Sequence, residues 1–180
     1  MTFSGSFEST PASELVPSET TVVIQELEER RVTLEDLLIQ LVALSSHLHQ
    51  IYTQSHLIHL NIEGPLFLPL HKFLKKQYFA HIDQFDQVTE FVRTMDTLLP
   101  MCEKGLLGAY KGFKHVKSYE ARDMLITYLQ NLEKIGMQAK EIGELAREIK
   151  APDVENYMAE LVGQMFKASW MLKATLRSQT

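Results

Sequence analysis

From Thr33 onward, apolar residues recur at intervals of three and four: Leu34, Leu37, Leu38, Leu41, Val42, Leu44, Leu48, Ile51, Tyr52 and Leu60. That spacing lines one face of an α-helix. Thr33 and Asp36 have the form of a capping box, so a first helix is predicted over about residues 33–62. Gly64-Pro65 ends it. Pro69, just beyond, is acceptable because the first turn of a helix has amide hydrogens with no intrahelical partner to lose. A second helix therefore begins near His71 and carries Phe73, Leu74, Tyr78, Ile82, Phe85, Val88, Val92, Met95 and Leu99 to about Pro100. Residues 100–117, PMCEKGLLGAYKGFKHVK, mix glycines with apolar and basic side chains and read as a long connection with room for one short helix. In a bundle, a connection of that length implies a crossover rather than a tight turn. A third helix is predicted over about 118–149, stopped by Ala151-Pro152, and a fourth over about 153–177 with Tyr157, Leu161, Met165, Phe166, Trp170, Met171 and Leu176. No strand pattern or internal repeat competes, so the fold class is all-α, a four-helix bundle with a crossover.

Composition narrows the setting. With 180 residues, 45% apolar and 23% charged, the chain suits one domain with a substantial core. Its single cysteine, Cys102, allows no internal disulfide and no thiolate cluster, which points to the cytoplasm. The start of the chain lacks the basic and apolar regions of a signal peptide, and no later apolar run is long enough for a membrane span. Net charge is −5 and unevenly spread: no Lys or Arg precedes Arg30, whereas Glu8, Glu14, Glu19, Glu26, Glu28 and Glu29 do. Residues 1–20 read as a disordered acidic tail, with the folded domain at 21–180, and such a tail repels phosphate.

The candidate chemistry lies around the break between the first two helices. The segment HLNIEGPLFLPLH sets His59 and His71 on either side of it, and helix two carries Asp86 and Glu90, one turn apart, on a stripe with His71, Lys75 and Ile82. Imidazole and carboxylate together suit iron, manganese or zinc. From His71 to Asp86 is about 22 Å of helix, so one chain cannot bring both to one metal ion. Two chains can. If helix two pairs antiparallel with its copy about a twofold axis between Ala80 and His81, His71 of one subunit comes level with Asp86 and Glu90 of the other, in two equivalent sites. His59, just across the break, reaches the same place.

The segment at 59–71, then Tyr78, then D86-Q-V-T-E90, resembles the Dps family of miniferritins, the DNA-binding proteins from starved cells. The stretch KASWMLKATL at 167–176 is similar to the end of that family's last helix. The resemblance implies a ferritin-like subunit with a short helix in the middle connection, and a hollow twelve-subunit shell with iron centres at twofold interfaces. There Fe(II) is oxidised, preferentially with hydrogen peroxide, and stored as ferric mineral. By position, His59, His71, Asp86 and Glu90 match the family's iron ligands. One position departs: the family usually has aspartate where this chain has Lys75, and a cation there opposes a second metal ion. Leu60 also replaces the family's usual tryptophan, with Tyr78 as a partial substitute.

Other candidates weigh less. His81, near the twofold axis, is an alternative ligand, although an ideal helix turns it away from the Asp86 stripe. His47, His49, His56 and His115 read as ordinary core or surface residues, with His56 and His59 sharing a face as a weak zinc alternative. Asp153 and Glu155 would suit an acidic channel admitting iron at a threefold axis, yet an acidic first turn balancing the helix dipole explains them equally well. An enclosed ferritin or rubrerythrin centre is disfavoured because no Glu-x-x-His pair occurs. Two alternatives to peroxide-driven ferroxidase activity remain: a shell whose centre is altered or holds zinc, and DNA compaction, which the acidic tail argues against.

Overall fold

A computed structural model describes residues 32–177. The tail assigned to residues 1–20 and the domain start at 21 lie outside the described residues. Five helices follow: α1 (Leu34–Asn61), α2 (Phe67–Thr94), α3 (Glu103–Gly108), α4 (Ala121–Glu148) and α5 (Pro152–Arg177). The expected four long helices and the short one in the connection are all present.

The helix ends follow local chemistry. Thr33 caps α1 reciprocally: its hydroxyl accepts from the Asp36 amide at 3.1 Å, and its own amide donates to the Asp36 carboxylate at 2.9 Å. At its C-terminal end, α2 stops at Thr94 instead of continuing to about Pro100. Asp96 adopts φ +57°, its amide donates to the Arg93 carbonyl, and the Thr97 amide reaches back to the Val92 carbonyl. These are the two bonds of a Schellman stop. The apolar residues Leu98 and Leu99 beyond it do not extend the helix. The same pair of bonds ends α4, with Lys150 at φ +62° and the Ala151 amide on the Ala146 carbonyl.

α1 packs along α2, and α4 along α5; the face of α1 against α4 joins the two pairs, and α3 rests on α1. Fully buried Leu37, Leu41, Leu44, Leu48 and Ile51 meet Leu74, Val88, Leu132, Ile135, Ile142 and Leu161 in the middle. The crossover is tied down by polar groups. Gln50 donates to the Tyr110 carbonyl and Gln54 to the Lys114 carbonyl. Buried Asn131 on α4 accepts from the Lys114 amide and donates to both the Lys114 carbonyl and Gln54 Oε1. A backbone strand laid over a helix seam has no ladder to satisfy it, and these amides take that role.

Candidate metal centre

The Gly64-Pro65 break returns the chain on itself within five residues. Gly64 sits at φ +102°, a conformation that side chains with a Cβ disfavour, and the Phe67 amide closes the turn on the Gly64 carbonyl. The turn lays the last residues of α1 beside the first turns of α2. His59 and His71 then stack, ring centres 3.7 Å apart.

Their hydrogen bonds are reciprocal. His59 Nδ1 lies 2.9 Å from the His71 carbonyl, and His71 Nδ1 lies 3.0 Å from the His59 carbonyl. A carbonyl oxygen only accepts, so each Nδ1 carries a hydrogen, and in the neutral ring that leaves the lone pair on Nε2. The His59 carbonyl belongs to the last turn of α1, where no intrahelical donor follows, so the bond from His71 also caps that helix. A backbone acceptor on Nδ1 is the arrangement that fixes an imidazole's orientation where its Nε2 binds a metal ion. Aromatic rings enclose the pair: Phe67 lies 5.0 Å from His71, Tyr78 lies 5.4 Å from His59, and His56 stacks on Tyr78 at 4.3 Å.

Asp86 and Glu90 lie far along α2 from His71, exposed, and neither they nor Lys75 form an ion pair among the described residues. Within one chain, no group of three or more His, Cys, Asp and Glu among the described residues comes together to hold a metal ion. The structure thus unites His59 with His71 and leaves Asp86 and Glu90 apart, as the length of α2 requires. A cavity of about 610 Å³ between α1 and the crossover, lined among others by Leu57, Leu107, Phe113 and Tyr119, contains none of these residues.

A ferritin-like domain family model matches residues 24–179. The chain belongs to the ferritin-like family. Among solved structures, this ferritin-like chain is similar to Dps from Staphylococcus aureus, with TM-score 0.76 and 21% identity over 81% of this chain and 97% of that one. Dps from Thermosynechococcus elongatus gives TM-score 0.75 and 21% identity over 79% and 90%. The Dps protein from Vibrio cholerae O1, described as a member of a superfamily of ferritin-like diiron-carboxylate proteins, gives 0.73 and 24% over 79% and 89%. At these identities the likeness is one of fold. A search of the curated proteins found no match.

In this ferritin-like bundle His81 is not on the surface. It is fully buried, its Nδ1 donates to Gln84 Oε1 at 2.7 Å, and its Nε2 accepts from the Tyr128 hydroxyl at 2.8 Å. Both ring nitrogens are engaged, so His81 offers no lone pair to a metal. The chain of bonds continues from Gln84 to Gln164 and from Gln164 to the Glu160 carboxylate. Burial drives the His81 pKa down to about 4 against the opposing Gln84 bond, and pushes the Tyr128 phenol well up. The spacing of three between His81 and Gln84 on α2 is the part of this network that the sequence carries; the meeting of His81 with Tyr128 is set by packing. Asp153 and Glu155 lie in the first turn of α5. No helix among the described residues is long and apolar enough to cross a membrane.

Proposed function

We propose that the protein is a Dps-type miniferritin, a cytoplasmic ferroxidase whose twelve-subunit shell oxidises Fe(II) at centres between subunits and keeps the ferric product inside. The observation that carries the reading is the reciprocal lock of His59 and His71 through their Nδ1 atoms, at one end of a helix that farther along carries exposed Asp86 and Glu90, neither in an ion pair among the described residues. Two imidazoles and two carboxylates of a second copy form a donor set suited to a divalent first-row ion. Carboxylate oxygens also favour the more highly charged ferric product. The electron count closes with two ferrous ions per hydrogen peroxide: each Fe(II) gives one electron, the O–O bond breaks, and two hydroxide ions leave.

Two further roles fall to the protein. The backbone acceptors on Nδ1 keep His59 and His71 from rotating away when the Nε2 atoms release a ferric ion, so the site is ready for the next ferrous ion. Phe67, Tyr78 and His56 shield one side of the imidazole pair and limit its contact with water.

The test is Fe(II) oxidation by the metal-stripped assembly, with peroxide and with oxygen in separate runs, beside Glu90→Ala. Peroxide-driven oxidation lost by at least tenfold in the variant is expected. Equal slow rates in both proteins overturn the ferroxidase reading. Zinc bound in their place would indicate a shell with an altered centre. A salt-dependent gel shift checks the nucleic-acid alternative, and no retention of DNA is expected from a chain whose first twenty-nine residues carry no cation.

A further inference from the structure

The outward stripe of α2 is complementary to itself. His71, Lys75, Phe79, Ile82, Asp86 and Glu90 follow one another at steps of four, four, three, four and four. On a helix these steps keep all six within a sector about 100° wide. Its centre is apolar and open, with Phe79 at 52% and Ile82 at 38% exposure. The cation lies toward the N-terminal end and both carboxylates toward the C-terminal end.

A twofold axis between Ala80 and His81 sets Phe79 level with the partner's Ile82, Lys75 with the partner's Asp86, and His71 with the partner's Glu90. No other antiparallel register brings all three matches together, and a parallel pairing would set Lys75 against its own copy. Lys75 and Asp86 are about 16 Å apart along one helix, so neither neutralises the other within a chain. Closing the apolar centre would strand both charges away from water unless each met the other across the interface.

We propose that Lys75 is a built-in cation of the interfacial centre. Its ammonium pairs with the partner's Asp86 in the electrostatic place of a second metal ion, so each centre takes a single divalent ion on His59, His71 and the partner's Glu90. This inference rests on the interfacial reading of the site given above. The charges favour it. Asp86 and Glu90 against one ammonium bring one net negative charge to the centre, which a single divalent ion overcompensates by one. A second ion would leave three positive charges at one place. An aspartate at position 75 would bring three negative charges, and two divalent ions would then restore the same balance.

Two measurements on the assembled protein test the proposal. Cobalt(II), which does not turn over, is titrated into the metal-stripped protein by calorimetry with visible absorption as a second readout. One ion per subunit is expected for the parent, two for Lys75→Asp, and none for Glu90→Ala. Zero-length carbodiimide coupling of the parent, followed by peptide mass spectrometry, is expected to give a covalent dimer joined through Lys75 and Asp86. That bond cannot form within one chain at about 16 Å.

Two cobalt ions in the parent, or one in an assembled Lys75→Asp variant, overturns the role of Lys75 while leaving the interfacial site standing. Coupling that never joins Lys75 to Asp86 does the same. Absence of cobalt binding that depends on Glu90 overturns the interfacial reading itself. If Lys75→Asp does not assemble, the cobalt count of the parent and the coupling product still decide.

Discussion

At the scale of single residues, two buried imidazoles make the fold sensitive to acid. Burial lowers the pKa of both His47 and His81 to about 4 from an ordinary 6.5. For His47 the Gln138 bond opposes that shift, while Lys134 and His81 add to it. The folded state therefore keeps both rings neutral over a range in which the unfolded chain protonates them. The stability they contribute is intact above pH 6.5 and falls as pH drops from there toward 4, by up to about 3 kcal/mol per ring. Denaturant unfolding from pH 7 to 4.5 checks this, and His47→Gln is expected to fall less steeply over the same interval. Beside His47, the Tyr110 hydroxyl is buried with no hydrogen-bond partner, and its ring stacks on the imidazole at 4.3 Å. Removing that hydroxyl costs no bond. Tyr110→Phe is expected to leave the unfolding midpoint unchanged or raise stability by about 1 kcal/mol.

At the scale of elements, the helix break is the part on which the proposed metal centre depends. Gly64 has open space around a Cβ position, so an alanine there meets no clash and suffers only from φ +102°. Gly64→Ala is expected to cost about 1–2 kcal/mol in thermal unfolding and to loosen the stack of His59 on His71, seen as weaker cobalt binding. The element pattern was readable almost throughout. Periodicity, the Thr33 cap and the two proline breaks give the four long helices to within about four residues at every end but one. The end of α2 was not readable, because Asp96 takes the left-handed conformation in place of glycine. Its Schellman bonds depend on backbone geometry that no residue type announces.

At the scale of the whole molecule, the interface proposed on the α2 stripe would govern assembly. Phe79 lies at its exposed centre, so Phe79→Asp would place a carboxylate opposite the partner's Ile82 and near its own copy. Light scattering is expected to show this variant as species smaller than the parent, with peroxide-driven iron oxidation reduced at least tenfold, while far-ultraviolet circular dichroism stays helical. An assembled and active Phe79→Asp protein would falsify the interfacial placement of the centre.

His59, His71, Asp86 and Glu90 stand out as candidates in the sequence because helix geometry is local: spacing along the chain gives the face and the distance along the axis. The same arithmetic shows that one chain cannot close the site. Three things came only from tertiary structure. The Nδ1 hydrogens of His59 and His71 are held by carbonyls across the turn. His81 points inward onto Tyr128, and Asn131 ties the crossover to α1 and α4. Each of these is a contact between residues brought together by packing. Which lone pair stays free for a metal, and which buried polar group meets its partner, is decided where helices meet and not by the order of residues along any one of them.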